Sequence, residues 1–542
     1  MMMDQGNGKK RGDFSGRPRG EKPFSKKPFD KKPFDKKPYD KKPREFDAKR
    51  EADKKPGATD RKSFGVRTQA DRPPFRKLRD MENQSTAGKA PEKRRSTLDA
   101  RRVALNALAD VNRVDAYASL ALDKRLREAT LSPEDRRLAT SIFYAAVENK
   151  LNIEYVLKDF VNIKPEPTVE DILHIACAQI LFMDKIPAHA AVDEAVKQTR
   201  AFGRDEASGF VNGVLRSLLR AIEADGIKYP DSQEEPVLYL SVKYSMPVNV
   251  IEKLISAYGF ETAVQIVSYR PHERLETVRP NFMRMDKASF EAYMTKRGWL
   301  WRPGTVDGAY LLDRAGSLAS DPDYYDGLFS IQGESSMLSA RAVEAKPGMT
   351  ILDACAAPGG KSALISEMMR GTGRVHAWDV HEHRVELIKA AGKRLKLDNI
   401  RPAARDAGIL REDMIGTMDA VLVDAPCSGL GVMTDKPDLK YRVTNESIHS
   451  LMETQKKILS ACAQYVKRGG LLVYSTCSIL PEENEKQIEQ FLISHPEFKM
   501  ETDGSYLPEK LRPRLQNGML SLLPNRDGVE GFFIARLRRT NL

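Results

Sequence analysis

The 542-residue chain contains no run of 18 or more consecutive apolar residues, so its sequence predicts no membrane-spanning helix. Its first residues, MMMDQGNGKKRGDF, lack the apolar segment of a secretory signal, and their acidic residues argue against an organellar transit peptide. Cysteine is scarce: five residues, none in a CxxC pair, lie at positions 177, 355, 427, 462 and 477. We therefore expect neither a disulfide framework nor a standard zinc site, and we expect a cytoplasmic protein.

Basic charge is concentrated at one end of the chain. Residues 1–100 hold 30 Lys and Arg against 16 Asp and Glu, a net charge of +14, whereas the remainder carries −2. This segment includes the repeats KKPFD, KKPFD, KKPYD and KKPRE, in which every unit contains proline. Proline and the low apolar content predict a disordered basic tail over residues 1–95. Its lysines and aromatic rings suit contact with RNA, but a purely solubilising tail fits equally well.

Helical periodicity dominates residues 96–228, which predicts an all-α bundle. Its first helix is expected in TLDARRVALNALADV, with Thr97 as the N-cap. The stretches IPAHAAVDEAV and GFVNGVLR in this segment resemble the NusB family, whose helical domains bind RNA or protein partners. Residues 229–325 mix helix and strand signals, and we expect a linker with a small α/β subdomain for RNA recognition.

From residue 326 to residue 542, short apolar runs alternate with helical stretches. The runs are MTILDACA, GRVHAWDV, NIRPAARDA, MDAVLVDAP, GGLLVYSTC and, later, EGFFIARLRR. This alternation predicts an α/β domain with a doubly wound, mostly parallel sheet. Ligands of such sheets bind at the carboxyl ends of the strands, so polar residues at those ends are the candidate site.

The segment ILDACAAPGGKS joins a predicted strand to a predicted helix through a glycine pair. A phosphate-binding GxxxxGK[ST] loop would need glycine where the chain has Cys355, and Pro358 removes a backbone donor. A nucleoside fits better, because Asp379 ends the next predicted strand, where an acid typically binds ribose hydroxyls. Asp406 ends the third strand, where it suits an adenine amino group. We therefore predict an adenosyl ligand and no metal; the nearby histidines, His376, His381 and His383, are interpreted as surface residues.

Two cysteines follow the next two predicted strands, Cys427 in DAPCSGLG and Cys477 in YSTCS. If these strands are neighbours, both thiols face one cleft. A catalytic thiol needs a lowered pKa and a positive neighbour, which Lys361 or Lys436 could supply. Either thiolate could add to C6 of a cytosine and make C5 nucleophilic toward a methyl donor. Such a base must leave its stack, so single-stranded or flipped RNA is the expected substrate.

Together, DACAAPGGKS, DAPCSGLG and YSTCSILPEENE resemble the motifs of RNA cytosine-5 methyltransferases. With the NusB-like segment, residues 97–542 resemble the Sun/Fmu branch, which acts on bacterial 16S rRNA. The resemblance implies a class I methyltransferase fold with S-adenosyl-L-methionine as the methyl donor. It assigns nucleophilic attack to Cys477, release of the covalent adduct to Cys427, the ribose to Asp379 and the adenine to Asp406. It places Asp424 between donor and base, and a cradle for the methionine part at Cys355, Ala356, Ala357, Pro358, Gly359, Gly360 and Lys361.

Two features of the chain depart from the family pattern. The segment KPDLKYR, Lys436 to Arg442, has Lys and Tyr where the family usually has Arg and Trp, so the resemblance assigns this segment no specific base or RNA contact. The basic repeat tail is also not part of the common pattern. We expect a monomer that binds 16S rRNA and no membrane. The alternatives are the same chemistry on transfer RNA or large-subunit rRNA, or a non-enzymatic RNA-binding assembly factor.

Overall fold

Helices alone build the first part of the chain, in a computed structural model that describes residues 99–224, 226–271, 275–313 and 318–540. The tail predicted at residues 1–95 lies outside the described residues. The helices are α1 Ala100–Val114, α2 Ala118–Glu128, α3 Pro133–Glu148, α4 Lys150–Lys158, α5 Pro167–Phe182, α6 Ala188–Ala201 and α7 Ser208–Ala224. They enclose one apolar core, and Cys177 of α5 is completely buried in it. The predicted all-α bundle is thereby confirmed.

The first helix shows how local sequence sets a boundary. Asp99 is the N-cap, and its Oδ1 accepts a 2.7 Å hydrogen bond from the backbone N–H of Arg102. The predicted N-cap at Thr97 was therefore wrong by two residues. The error is understandable, because Thr and Asp satisfy a free helix N–H in the same way and TLD offers both.

A second group of elements follows the bundle. It begins with helices α8 Pro236–Tyr244, α9 Val248–Tyr258 and α10 Phe260–Ser268. A four-stranded antiparallel sheet then forms in the order β2-β3-β1-β4. Its elements are β1 Glu276–Pro280, α11 Lys287–Lys296, β2 Leu300–Pro303, β3 Tyr310–Asp313, α12 Pro322–Tyr325 and β4 Phe329–Ile331. Because β4 pairs with β1, this sheet extends past residue 325, where the sequence placed the end of the subdomain.

The remaining elements form one large mixed sheet with helices on it, in the strand order β11-β12-β13-β9-β8-β5-β6-β7 and with β10 beside β13. Strands β7, β6, β5, β8 and β9 are parallel neighbours, and the others are antiparallel. The elements are α13 Glu334–Arg341, β5 Thr350–Asp353, α14 Gly360–Met368, β6 Arg374–Asp379, α15 Glu382–Leu395, β7 Ile400–Ala404, β8 Met418–Asp424, α16 Asn445–Ala463, β9 Val466–Thr476, α17 Glu485–Ser494, β10 Phe498–Met500, β11 Leu515–Gln516, β12 Met519–Leu522, α18 Pro524–Asp527 and β13 Phe532–Arg539. The predicted α/β class and mostly parallel sheet are confirmed, and the carboxyl ends of five parallel strands meet at one edge.

A fully buried ion pair joins the small sheet to the large one. The Arg279 guanidinium of β1 lies 2.6 Å from the Glu367 carboxylate of α14, and neither side chain is exposed. Arg279 Nε also donates a 2.7 Å hydrogen bond to Gln332 Oε1, in the chain between the two sheets. The two sheets therefore share a polar contact that is buried on both sides.

None of the described helices is both long enough and apolar enough to span a lipid bilayer.

Candidate active site

The candidate ligands lie together at the carboxyl edge of the parallel strands. Asp353, Asp379 and Asp424 are the last residues of β5, β6 and β8. The segment from Cys355 to Lys361 connects β5 to α14 at this same edge. Gly359 has φ of +105° in that loop, and a Cβ there would lie 3.2 Å from the Cα of Ile388. Only glycine therefore lets the loop pack closely against α15 in this conformation.

Asp353 contacts the start of α14, directly after the loop from Cys355 to Lys361. It is completely buried, and its Oδ2 accepts a 2.6 Å hydrogen bond from the hydroxyl of Ser362. Burial raises its pKa to about 7, and its Oδ1 has no protein partner among the described residues. An unpartnered buried carboxylate oxygen beside a glycine loop suits a ligand that brings hydrogen-bond donors, as the amino acid part of S-adenosylmethionine does.

The predicted ribose and adenine residues follow in neighbouring positions. Asp379 is buried, its Oδ1 accepts a hydrogen bond from the N–H of His381, and its Oδ2 lies 3.3 Å from Arg384 Nη1. Asp406 comes two residues after β7, is more exposed, and accepts a 2.8 Å hydrogen bond from the N–H of Gly408. Both carboxylates retain lone pairs for hydroxyl or amino donors, so these residues fit an adenosyl group.

Asp424 forms an ion pair inside the cleft. Its Oδ2 lies 2.7 Å from Lys361 Nζ, and its Oδ1 accepts a 2.8 Å hydrogen bond from Ser475 Oγ. Burial lowers the pKa of Lys361, but Asp424 and Asp353 outweigh burial and the net pKa is raised. Lys361 therefore stays an ammonium group next to the carboxylate at the end of β8.

The two cysteines meet in the same cleft. Strands β8 and β9 are parallel neighbours, as predicted, and the Sγ atoms of Cys427 and Cys477 are 3.3 Å apart. Both residues are partly exposed. The N–H of Gly431 donates a 2.9 Å hydrogen bond to the carbonyl of Cys477, and a Cβ at Gly431 would come within 2.1 Å of the carbonyl oxygen of Gly531. A glycine at 431 thus brings the DAPCSGLG loop onto the end of β9.

The pKa values of the two thiols are shifted in opposite directions. The hydrogen bond with Cys427 lowers the pKa of Cys477 against the effects of burial and Asp424, and Lys361 and Lys436 lower it further. The same hydrogen bond raises the pKa of Cys427 well above its ordinary value, and burial adds to the rise. The pair therefore favours a thiolate at Cys477 and a protonated thiol at Cys427. The third cysteine at this edge, Cys355, has its pKa raised well above the ordinary value by burial.

Sequence reasoning missed Glu483, which lies behind both cysteines and is completely buried. Its Oε1 accepts hydrogen bonds from the N–H of Ser428 at 2.9 Å and from Gln455 Nε2 at 3.0 Å. Its Oε2 accepts hydrogen bonds from the hydroxyls of Ser428, at 2.6 Å, and Ser478. The available signal was an acid six residues after Cys477, but nothing in YSTCSILPEENE shows which acid turns inward.

The segment Lys436 to Arg442 contacts the helical bundle. Asp438 Oδ2 accepts a 3.1 Å hydrogen bond from the N–H of Ala118, the first residue of α2. Lys440 Nζ and Tyr441 Oη both donate to the carbonyl of Glu148, at 2.9 and 3.0 Å. The Arg442 guanidinium donates to the carbonyls of Asp115 and Ala116. The Lys and Tyr that depart from the family pattern thus dock one domain on another.

Among the described residues, no group of three or more His, Cys, Asp or Glu side chains is arranged to hold a metal ion. His381 is the N-cap of α15 and His383 is the second residue of that helix, and the centroids of their rings are 5.5 Å apart.

Comparison with known proteins decides the family. The sequence model described as "16S rRNA methyltransferase RsmB/F" matches residues 340–538, and the NusB family model matches residues 98–220. A Bacillus subtilis (strain 168) protein named "Probable ribosomal RNA small subunit methyltransferase B" is 40% identical over 446 residues, which are 81% of this chain and 98% of that protein. The chain belongs to the RsmB/F family of methyltransferases. Membership makes it an S-adenosylmethionine-dependent RNA methyltransferase, and it confirms the family resemblance of the three motifs.

Two further proteins are similar to this chain over most of its length. The "Ribosomal RNA small subunit methyltransferase B" of Shewanella oneidensis (strain ATCC 700550 / JCM 31522 / CIP 106686 / LMG 19005 / NCIMB 14063 / MR-1) is 30% identical over 453 residues, 81% of this chain and 99% of that protein. The crystal structure of PH0851 superposes with a TM-score of 0.70 at 25% identity, covering 81% of this chain and 98% of that one. The fold of this chain is therefore similar to that of a solved structure over most of its length.

Proposed function

We propose that the protein transfers a methyl group from S-adenosyl-L-methionine to C5 of a cytosine in 16S rRNA, through a covalent adduct between Cys477 and C6. One observation carries the proposal: two thiols 3.3 Å apart, with opposite pKa shifts, lie beside the Lys361–Asp424 pair at the ligand edge of the sheet. A methyltransferase acting on an exocyclic amine or a ribose hydroxyl needs no thiol.

Cys477 acts first in this proposal. Its thiolate adds to C6, and the electrons of the C5–C6 double bond make C5 nucleophilic. S-adenosylmethionine bound at the strand ends supplies the electrophilic methyl group. The proton at C5 then passes to water, the electrons of the C5–H bond re-form the C5–C6 double bond, and the Cys477 sulfur leaves with the electron pair of its bond to C6. Cys427 lies 3.3 Å from that sulfur as a protonated thiol and can donate to it as it departs.

Asp424 and Lys361 stabilise the charge that develops on the pyrimidine ring. Addition to C6 places negative charge on N3 and O2 of the base, which a nearby proton donor stabilises. Asp424 as a carboxylic acid is one candidate for this donor, but the raised pKa of Lys361 keeps its ammonium group protonated 2.7 Å from the Asp424 carboxylate. Lys361 is thus the donor, and Asp424, fixed by Ser475, orients it.

Binding of the methyl donor, S-adenosyl-L-methionine, is assigned to the loop and the acids described above. Cys355, Ala356, Ala357, Pro358, Gly359, Gly360 and Lys361 line the methionine part, Asp379 the ribose and Asp406 the adenine. Support comes from the close packing of Gly359 on α15 and from the free lone pairs of the acids.

The substrate assignment rests on relatives. Proteins similar over four fifths of this chain are named small-subunit ribosomal RNA methyltransferases, and the helical bundle matches the NusB family. A ribosomal substrate implies a cytoplasmic enzyme, and a monomer remains our prediction. Transfer RNA and large-subunit rRNA are the alternatives within the same chemistry.

Methyl transfer from labelled S-adenosylmethionine to 16S rRNA tests the proposal. We expect full loss in Cys477→Ala and wild-type transfer in Cys177→Ala, whose cysteine is buried in the helical bundle. We expect Cys427→Ala to accumulate a protein–RNA adduct that survives denaturation, and Cys427→Ala/Cys477→Ala to form none. Activity in Cys477→Ala would overturn the mechanism, and labelling of tRNA or 23S rRNA in preference would overturn the substrate.

A further inference from the structure

Glu483 is a carboxylate without a cation. No Lys or Arg in the described part of the chain pairs with it, although it is completely buried. Four hydrogen bonds from three side chains and one backbone N–H take the place of a counter-ion. A buried carboxylate is costly, so the fold retains this group at a position where a neutral residue would cost less.

The hydrogen bonds of Glu483 reach both cysteine loops. Ser428 follows Cys427 and Ser478 follows Cys477, and the same Oε2 atom accepts from both hydroxyls, which lie 3.1 Å apart. Gln455 of α16 donates from one Nε2 to Glu483 Oε1 and to the carbonyl of Pro426, the residue before Cys427. Glu483 thus fixes the residues that flank each thiol.

The main chain of Glu483 is held as well. Its carbonyl accepts a 2.7 Å hydrogen bond from Tyr474 Oη of β9, and its N–H donates to the carbonyl of Leu480. The carboxylate is therefore a fixed point between the end of β9 and the DAPCSGLG loop, rather than a mobile surface acid.

The negative charge of Glu483 also affects which of the two thiols ionises. Charged groups that act on the thiol pair are Asp424 and Lys361 on the donor side, Lys436 beyond Cys427, and Glu483 behind the serines. Glu483 is the acid among them that disfavours ionisation of Cys427, whereas Asp424 disfavours ionisation of Cys477. Without Glu483 the remaining acid, Asp424, would push the negative charge toward Cys427.

We infer that Glu483 is the positioning residue of the thiol pair: its buried carboxylate fixes the loops that carry Cys427 and Cys477 in contact with each other, and its negative charge adds to the groups that favour a neutral Cys427. The inference deepens the proposed function and rests on it for the roles of the two thiols. Glu483 touches neither sulfur in a hydrogen bond, so it positions the thiols through Ser428 and Ser478 and acts on Cys427 by its charge alone.

Alkylation of the free enzyme tests the charge without any turnover. Limited iodoacetamide treatment of full-length protein, followed by peptide mass analysis, gives the ratio of Cys427 to Cys477 modification. In Glu483→Gln we expect this ratio to rise by about tenfold, the change that one pKa unit between the two thiols produces. Glu483→Asp keeps the charge and should stay near the wild-type ratio. Glu482→Gln is the matched control, because its side chain is partly exposed and pairs with Lys253.

Methyl transfer measured on the same variants tests the geometry. We expect Glu483→Gln and Glu483→Asp both to lose at least about tenfold in kcat with a small change in KM for RNA, since a shift of the thiols impairs the chemical step. Thermal unfolding checks that each variant is folded. If Glu483→Gln does not fold, Ser428→Ala/Ser478→Ala removes the two hydroxyl hydrogen bonds to Glu483 Oε2 and should also lower kcat.

The outcomes distinguish a failure of the role of Glu483 from a failure of the proposed function. An unchanged alkylation ratio together with wild-type kcat in folded Glu483→Gln would overturn the role of Glu483. Wild-type enzyme that alkylates selectively at Cys477 but never methylates RNA would overturn the proposed function and leave the positioning role intact. A changed ratio with unchanged turnover would show that Glu483 acts on the proton alone, and would overturn its geometric part.

Discussion

Lys361 Nζ lies 2.7 Å from Asp424 Oδ2, and this ion pair stands beside the thiol pair at the end of β8. Lys361→Met removes a charge that lowers the pKa of Cys477 and leaves Asp424, which raises it. We expect the acid limb of the kcat–pH profile to move to higher pH. Methyl transfer near neutral pH should fall by at least about tenfold, the effect of one pKa unit.

Lys436→Met is the comparison for that change. Lys436 also lowers the pKa of Cys477, but by less than Lys361 does and without an ion pair to Asp424. We therefore expect a shift of the same sign and smaller size. Equal profiles for wild type and Lys361→Met would contradict the electrostatic role of Lys361.

The hydrogen bond between the thiols predicts a second pH effect. In Cys427→Ala the donor that contributes most to the lowered pKa of Cys477 is lost, so the pKa of Cys477 should rise. Cys427→Ser keeps a donor in the same place and should retain part of the lowering. Iodoacetamide alkylation of Cys477 against pH measures both variants without RNA. A Cys477 profile that is the same in wild type, Ala and Ser variants would show that the thiols do not share a proton.

Much of this site was predictable because it follows from the period of strands and from parallel pairing. Alternating apolar runs placed Asp379 at the end of a strand, and the prediction of neighbouring strands brought Cys427 to Cys477. Chemistry at a sheet edge is local in sequence, since each acid or thiol stands within a few residues of its strand.

Contacts that depend on distant parts of the chain were not predictable. Glu483 and Glu482 are adjacent acids, and only the turn before α17 determines which one becomes buried. Docking of residues 436–442 uses backbone carbonyls, which every residue type has, so the sequence of the helical bundle gives no sign of it. The short antiparallel strands β10, β11 and β12 have two to four residues, too few for a periodic signal.

The buried pair of Arg279 and Glu367 gives a prediction on stability. Arg279→Met leaves a buried carboxylate without its cation, which should lower the free energy of unfolding by about 3–5 kcal/mol. Arg279→Met/Glu367→Leu removes both charges and should cost much less than the two single changes together. Urea unfolding measures all three variants. The exposed pair Lys389–Glu386 is the control, and Lys389→Met should change stability far less.

Lys440 predicts a pH dependence of stability. Burial lowers its pKa to about 7, from an ordinary value of 10.5 in the unfolded chain. Between these values the unfolded state binds more protons, so this group makes the free energy of unfolding rise with pH, by up to about 1.4 kcal/mol per pH unit. Below pH 7 both states are protonated and the dependence ends.

Lys440→Met isolates this contribution. The difference in the free energy of unfolding between wild type and variant should change from pH 7 to pH 10 and stay constant from pH 5 to pH 6.5. A difference that is constant throughout would mean that Lys440 is charged in the folded protein across the range.

The docking segment starts only nine residues after Cys427, and it is held by α2 and by the end of α3. A short hydrogen-bonded segment therefore connects the helical bundle to the loop that carries Cys427, the thiol proposed to release the product. Binding energy gained by RNA on the bundle would act on the position of that thiol. A shortened RNA that lacks the bundle's contacts should accordingly lose turnover number as well as affinity, because remote contacts then contribute to the chemical step.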